Sequence, residues 1–177
     1  MYNIPMISKI QKKIKEKEKP NDIFYTPLPL VKFHLNFIKE YVEKDDLILD
    51  PFFGSGNYYN TYPEIFKNNT FDYTEIELQK DFFEYNKDVN IIVSNPPYSI
   101  LDKVLDKSVS LNPHTISYLI GHNNFTCKRI KYMNDKGYFL VKMFFTKVYK
   151  WFGMSLIVVF TKKAIKNCIE YDRTVWY

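Results

Sequence analysis

The chain has 177 residues, five glycines, two cysteines and a formal net charge of +5, with a mean hydropathy of -0.32. That length supports one core of ordinary domain size, and 46% hydrophobic with 25% charged residues excludes a disordered or fibrous chain. No apolar run approaches the ~18 residues of a membrane helix, and the Lys-rich opening lacks a signal peptide's apolar centre, so an intracellular, cytoplasmic location is expected.

In chain order, Ile7, Ile10 and Ile14 recur at helical spacing among lysines before Pro20. This predicts a basic amphipathic helix over 7–19 that packs its isoleucines on the body, with a DNA-contacting arm as the alternative, and divides the chain into 1–22 as an N-terminal unit and 23–177 as the main domain. Residues 21–29 read as a Pro-punctuated loop, and the apolar spacing from Leu30 to Tyr41 predicts a helix over 30–42. The short apolar run 46–50 predicts a strand that feeds directly into Pro51-Phe52-Phe53-Gly54-Ser55-Gly56. Strands are also expected over 71–76, ending among Glu75 and Glu77, and over 89–94, which runs into Asn95-Pro96-Pro97-Tyr98. A helix over 100–111 and a buried strand over 115–120 follow. Residues 138–149 and 154–160 are β-rich runs around Gly153 and predict an antiparallel hairpin, with 167–177 as a tail or last edge element. The alternation predicts an α/β protein with a Rossmann-like, mostly parallel twisted sheet and a terminal antiparallel hairpin.

Cys127 and Cys168 stand far apart without a CxxC partner, which supports neither a disulfide framework nor a zinc site. His34, His114 and His122 are scattered, each read as a packed or surface residue, and no metal is expected. The positive charge rests on lysine and permits an anionic partner such as nucleic acid without demanding one.

Three segments carry chemistry. A chain so sparing of glycine places Gly54 and Gly56 in one loop after a strand ending in Asp50, where the backbone can approach a ligand with its amides aimed outward. Tyr59 stands where a third glycine would be and no Lys-Ser/Thr pair follows, which argues against NAD and against a P-loop and leaves a plain structural turn open. About twenty residues on, Glu75, with Glu77 as its rival, is placed to accept from ribose hydroxyls. Finally, two prolines freeze the loop after Asn95 in an extended form. The Asn95 amide oxygen and the Pro96 carbonyl are weakly basic acceptors beside the flat ring of Tyr98. Two such acceptors can hold the hydrogens of a conjugated amine, draw its lone pair out of conjugation and aim it at an electrophile.

Asp50-Pro51-Phe52-Phe53-Gly54-Ser55-Gly56 followed by Asn95-Pro96-Pro97-Tyr98, with Phe24-Tyr25-Thr26-Pro27 upstream, resembles the class I S-adenosylmethionine-dependent amino-methyltransferases, especially the DNA adenine N-6 methyltransferases. The resemblance covers roughly residues 24–101 and implies the class I methyltransferase fold, with 23–177 as a catalytic domain. It implies S-adenosylmethionine as cofactor, with Tyr25, Thr26 and Pro27 at its methionine carboxylate. Asp50, Pro51, Phe52, Phe53, Gly54 and Gly56 would line the methionine end and Glu75 the ribose, while Asp81 and Phe82 would meet the adenine. Asn95, Pro96, Pro97 and Tyr98 become the catalytic loop, Tyr98 stacking on the target base. Glu75 and Asp81 stand closer than the family pattern requires, leaving almost no helix between the second and third strands. No separate target-recognition domain is expected, so specificity would come from loops or from a homo- or hetero-oligomer. Lys128, Lys131, Lys147 and Lys150 are candidates to neutralise phosphates, and Phe152 with Trp151 to stack a base or to pack the hairpin core. The runner-up functions are the same chemistry on an RNA base and a catalytically silent nucleic-acid-binding subunit.

Overall fold

The computed structural model describes residues 25–148 and 153–171. The helix expected over 7–19 lies outside them, as do Lys150, Trp151 and Phe152. Among the described residues no helix is long and apolar enough to cross a membrane.

Helix α1 (Leu28–Phe37) starts on Pro27 with Pro29 in its first turn, where the missing amide costs nothing, and it buries Val31, His34 and Leu35. The expected continuation to residue 42 tightens instead into a 3₁₀ turn over Lys39–Tyr41. Next come β1 (Leu47–Asp50), α2 (Asn57–Ile65), β2 (Thr70–Tyr73) and β3 (Ile91–Ser94). They are followed by α3 (Leu101–Ser110), β4 (Thr115–Gly121), α4 (Cys127–Asp135), β5 (Phe139–Thr146) and β6 (Ser155–Thr161). One six-stranded sheet runs in the order β2-β1-β3-β4-β6-β5. The pairs β2–β1, β1–β3 and β3–β4 are parallel, and β4–β6 and β6–β5 antiparallel, so the expected α/β sheet with its terminal hairpin is what forms.

Every residue of β3, β4 and β6 is buried, because helices or connections cover both faces of the central sheet. Successive side chains of a strand therefore enter different cores. Leu49 and Ile92 join α3 and the hairpin on one face, while Ile48, Ile91 and Val93 meet Val31, Leu35 and Tyr62 on the other.

Two local outcomes depart from the expected strands. The strand over 71–76 stops at Tyr73, and Glu75 pairs its backbone with Lys80 around a 3₁₀ turn, Ile76–Leu78, closed by Gln79 at a φ of 58°. With a second 3₁₀ turn, Phe82–Glu84, this turn takes the place of a helix between β2 and β3, where the described residues form no α-helix. In the last stretch, Asn167 and Cys168 bond the backbone of Leu140 beside the β5 bulge, so this segment covers part of an edge strand.

The three histidines are packed or paired. His114 lies 3.2 Å from Asp46 at the amino ends of β4 and β1, close to Glu43, whose carboxylate is also held by Lys163. His34 is fully buried, 2.8 Å from the Tyr58 hydroxyl and 2.7 Å from the Ser117 hydroxyl. Burial pushes its pKa down to about 3. Asp50, equally buried, is pushed up to about 7 by its burial. The two act oppositely on stability. Folded His34 holds fewer protons than unfolded histidine between pH 3 and 6.5, so its contribution rises with pH. Folded Asp50 holds more than the unfolded residue between 3.8 and 7, so stability drains away as pH rises. Asp50→Asn removes only the second slope. Its stability relative to wild type is expected to climb by on the order of 4 kcal/mol across that window, read by urea unfolding at a series of pH values.

Candidate active site

Strands β1 and β3 are neighbours, but the chain leaves β1 for β2 on one side and β3 for β4 on the other. Their carboxyl ends thus open a crevice where the strand order reverses, the usual place for a ligand in an open α/β sheet.

The loop after β1 turns on two left-handed glycines, Gly54 at φ 51° and Gly56 at φ 76°. A Cβ on Gly56 would stand 2.6 Å from the Phe53 ring and 2.9 Å from the Asn60 amide, so only glycine fits where the loop enters α2. The expectation that the loop's amides point outward is corrected in four cases. The amide of Phe52 donates to Asp50 Oδ1 at 3.2 Å, that of Phe53 to the Thr74 carbonyl, that of Gly54 to Glu75 Oε2 at 2.8 Å and that of Gly56 to the Phe53 carbonyl. The Asp50 and Glu75 carboxylates take two of these donors and backbone carbonyls the other two, each amide finding an acceptor within the fold.

Asp50 lies beneath the loop, fully buried. Its Oδ1 accepts from the Ser94 hydroxyl at 2.6 Å as well as from Phe52. Its Oδ2 is buried without a hydrogen bond, although the Tyr59 amide contributes to holding the charge. Burial is the larger influence, with the Glu75 carboxylate adding to the rise, and the carboxyl titrates near neutrality.

Beside it, β3 ends at Ser94 and the chain turns through Asn95, Pro96 and Pro97 into a 3₁₀ turn, Tyr98–Ile100. The Tyr98 hydroxyl donates to Asn95 Oδ1 at 3.2 Å, and its ring packs on the margin of the core. Pro97 holds φ at -64° and ψ at 125°, the extended form expected of the diproline.

Both corners line one cleft of about 160 Å³. Tyr25 and Thr26 come from the segment before α1, Phe52, Phe53, Gly54 and Ser55 from the glycine loop, and Asn57 and Tyr58 from the start of α2. Glu75 and Glu77 come from the turn after β2, and Asn95 with Pro97 from the corner after β3. Asn57 donates from Nδ2 to the Thr26 carbonyl at 2.8 Å, which ties the first wall to α2. Pro27 sits one residue behind as the helix cap, and Pro51, Gly56 and Pro96 are buried in the turns themselves.

Other candidates fall elsewhere. Asp81 and Phe82 are not among the lining residues. The Asp81 carboxylate caps the Phe83 amide at 2.8 Å, and Phe82 is buried against Phe52, whose ring is the one in the cleft. Lys128 and Lys131 lie on α4, 3.7 Å from Asp102 and 2.7 Å from Asp135. Lys147 is exposed just past β5. Since Thr146 pairs with Ser155 and Ser155 with Gly121, Lys147 is at the carboxyl end of β4, on the cleft's side of the sheet. Ser55 enters the sequence reading only as part of the glycine loop, and Asn57, Tyr58 and Ser94 have no role in it. Helical phasing after Gly56 could have found Asn57 and Tyr58, but nothing local marks Ser94.

No protein-family model and no curated protein matches the chain. Its likeness is to solved structures. A precorrin-6y C5,15-methyltransferase from Geobacter metallireducens GS-15 superposes with a TM-score of 0.56 at 15% identity, over 80% of this chain and 95% of that one. A 1,6-didemethyltoxoflavin-N1-methyltransferase from Burkholderia thailandensis, solved with S-adenosylhomocysteine, gives 0.56 at 9% identity over 89% and 85%. A type I restriction modification subunit from Vibrio vulnificus YJ016 gives 0.56 at 13% identity, over 90% of this chain and 49% of that one. The chain therefore has the fold of the class I S-adenosylmethionine-dependent methyltransferases.

Proposed function

We propose that this chain transfers the methyl group of S-adenosylmethionine to the exocyclic amino group of adenine in DNA. The observation that carries the reading is that the glycine loop and the Asn95 corner line a single cleft. The cleft's residues suit that cofactor. Gly54 lines the cleft beside the Tyr25 ring with no side chain to crowd a ligand, Glu75 and Glu77 offer acceptors to ribose hydroxyls, and Asp50, buried behind the lining with an unbonded oxygen, stands beneath the seat of a methionine ammonium. Tyr25, Thr26 and Pro27 would stand at the methionine carboxylate. S-adenosylmethionine supplies an electrophilic methyl on a sulfonium. Asp81 and Phe82 act on the adenine end only indirectly in this arrangement, Phe82 by backing Phe52.

The protein's part is orientation. Asn95 Oδ1 and the Pro96 carbonyl accept the amine's two hydrogens, so the lone pair turns toward the methyl carbon, and no strong base is required to start the displacement. The Tyr98 ring stacks on the target base. An adenine in a duplex must first be flipped from the stack, at a cost of a few kcal/mol. Lys128, Lys131 and Lys147 supply phosphate contacts, joined in this reading by Lys150 and Phe152, and exposed ion pairs such as those of Lys128 and Lys131 are weak enough to exchange for phosphate. A homo- or hetero-oligomer supplies target recognition.

Parallel transfer of labelled methyl to DNA, RNA and protein tests the substrate. Label in DNA adenine is expected; label confined to RNA would replace DNA as the target, and a chain that binds cofactor but labels nothing would be a silent binding subunit. Within the site, Tyr98→Phe keeps the stacking ring and loses the bond to Asn95. Its kcat is expected to stay within about tenfold of wild type, whereas Tyr98→Ala loses about a hundredfold, since base–aromatic stacking is worth about 1–3 kcal/mol.

A further inference from the structure

The ladder between β1 and β3 stops before either strand does. Ile48 pairs with Ile91 and Leu49 with Ile92, and no pair follows, although β1 runs on to Asp50 and β3 to Ser94. The ladder ends at the mouth of the crevice, and side chains take over from the backbone. The Val93 carbonyl accepts from the Tyr62 hydroxyl of α2 at 2.8 Å. The Ser94 hydroxyl, fully buried, donates to Asp50 Oδ1 at 2.6 Å. Asp50 in turn accepts from the first amide of the glycine loop, that of Phe52. A continuous chain of bonds therefore runs from the glycine loop through Asp50 and Ser94 to Asn95, which is covalently next to Ser94.

We propose that Ser94 is a positioning residue for methyl transfer, holding the Asn95 corner in register with the glycine loop through its bond to Asp50. The inference rests on the reading above, in which the loop seats the methyl donor and Asn95 holds the acceptor amine. An error of about 1 Å between two such groups can cost about a hundredfold in rate. A serine hydroxyl suits the task, because it is short, has one donor and is locked on both sides by a buried strand and a buried carboxyl. The bond also links Ser94 to the charge on Asp50. Facing Asp50 are Ser94 from β3, the Phe52 amide from the glycine loop, the Tyr59 amide and Tyr62 from α2, Tyr118 from β4, and Glu75 from beyond β2. The hydroxyl favours the charged carboxylate, so its removal raises the pH at which Asp50 ionises.

The test compares wild type with Ser94→Ala, Ser94→Cys and Asp50→Asn, using S-adenosylhomocysteine titrations from pH 5.5 to 9, single-turnover methyl transfer at saturating cofactor, and thermal melting. Ser94→Ala is expected to keep S-adenosylhomocysteine affinity at pH 8.5 within about threefold, to slow single turnover by about ten- to a hundredfold, and to move the pH midpoint of binding upward. Ser94→Cys, with a weaker donor of similar size, should fall between and serves if the alanine variant does not fold. Asp50→Asn should flatten the pH dependence. A Ser94→Ala enzyme with wild-type turnover and an unmoved midpoint would overturn the role of Ser94 while leaving the methyltransferase reading intact. A folded wild-type chain that binds no S-adenosylhomocysteine would overturn that reading and this inference together.

Discussion

Asn95→Ala is expected to lower kcat for methyl transfer by at least about a hundredfold while leaving S-adenosylhomocysteine affinity within about threefold. Removing one well-placed hydrogen-bonding group from a transition state costs about 10²–10³ in rate. The asymmetry between rate and affinity follows from position. Asn95 reaches the cleft from the corner after β3, its Oδ1 accepts from the Tyr98 hydroxyl, and the loop amides of Phe52 and Gly54 are held by Asp50 and Glu75. Substitution therefore removes an acceptor for the amine without disturbing Gly54, Glu75 or Asp50. Single-turnover assays with labelled cofactor, paired with calorimetry, separate the two quantities. An Asn95→Ala chain that methylates at the wild-type rate would rule out the acceptor mechanism.

Gly56→Val should fail in the opposite way, through the fold and the donor's seat. The residue holds a φ of 76° and caps α2, and a side chain would meet the Phe53 ring at 2.6 Å. Relief requires moving Phe53, which packs on Tyr73 and Tyr59, or unwinding the first turn of α2. A β-branched residue in the left-handed region combined with such a clash costs about 3 kcal/mol or more. For a chain of this length, that corresponds to a fall in Tm of about 6–12 °C. S-adenosylhomocysteine affinity should drop by more than about thirtyfold, because the loop that would cradle it cannot keep its shape. Melting curves with and without S-adenosylhomocysteine read both effects. Equal stabilisation of the variant and the wild type by the ligand would show that the loop is only a turn.

Asp50 ties these predictions together. It is the last residue of β1, it anchors the start of the glycine loop, and it receives the hydroxyl of the residue before Asn95. A buried carboxyl with one unbonded oxygen is costly to leave in a core. Such a cost is typically retained where a site uses the group, and in the proposed function Asp50 would serve as a counter-charge to the methionine ammonium.

The chain's own residues determined the order of the strands and the chemistry of the two corners. Buried runs such as 89–94 and 115–120 must be strands because they are too short and too apolar for surface helices, and an Asn-diproline after a strand can only be a stiff extended corner. The helix α2 was not legible, since Asn57–Ile65 is nearly neutral in mean hydropathy and contains Pro63; it forms because Gly56 starts it and because Tyr58 and Tyr62 find buried partners on α1 and β3. Tertiary structure alone decided that Asp81 caps a turn instead of facing the cleft, that Glu75 holds the Gly54 amide, and that Ser94 bonds Asp50. Residues 44 positions apart meet there because β1 and β3 are neighbours in the sheet. A linear pattern records the period of each strand, but which strand lies beside which, and where their ladder ends, is set by how the whole sheet packs.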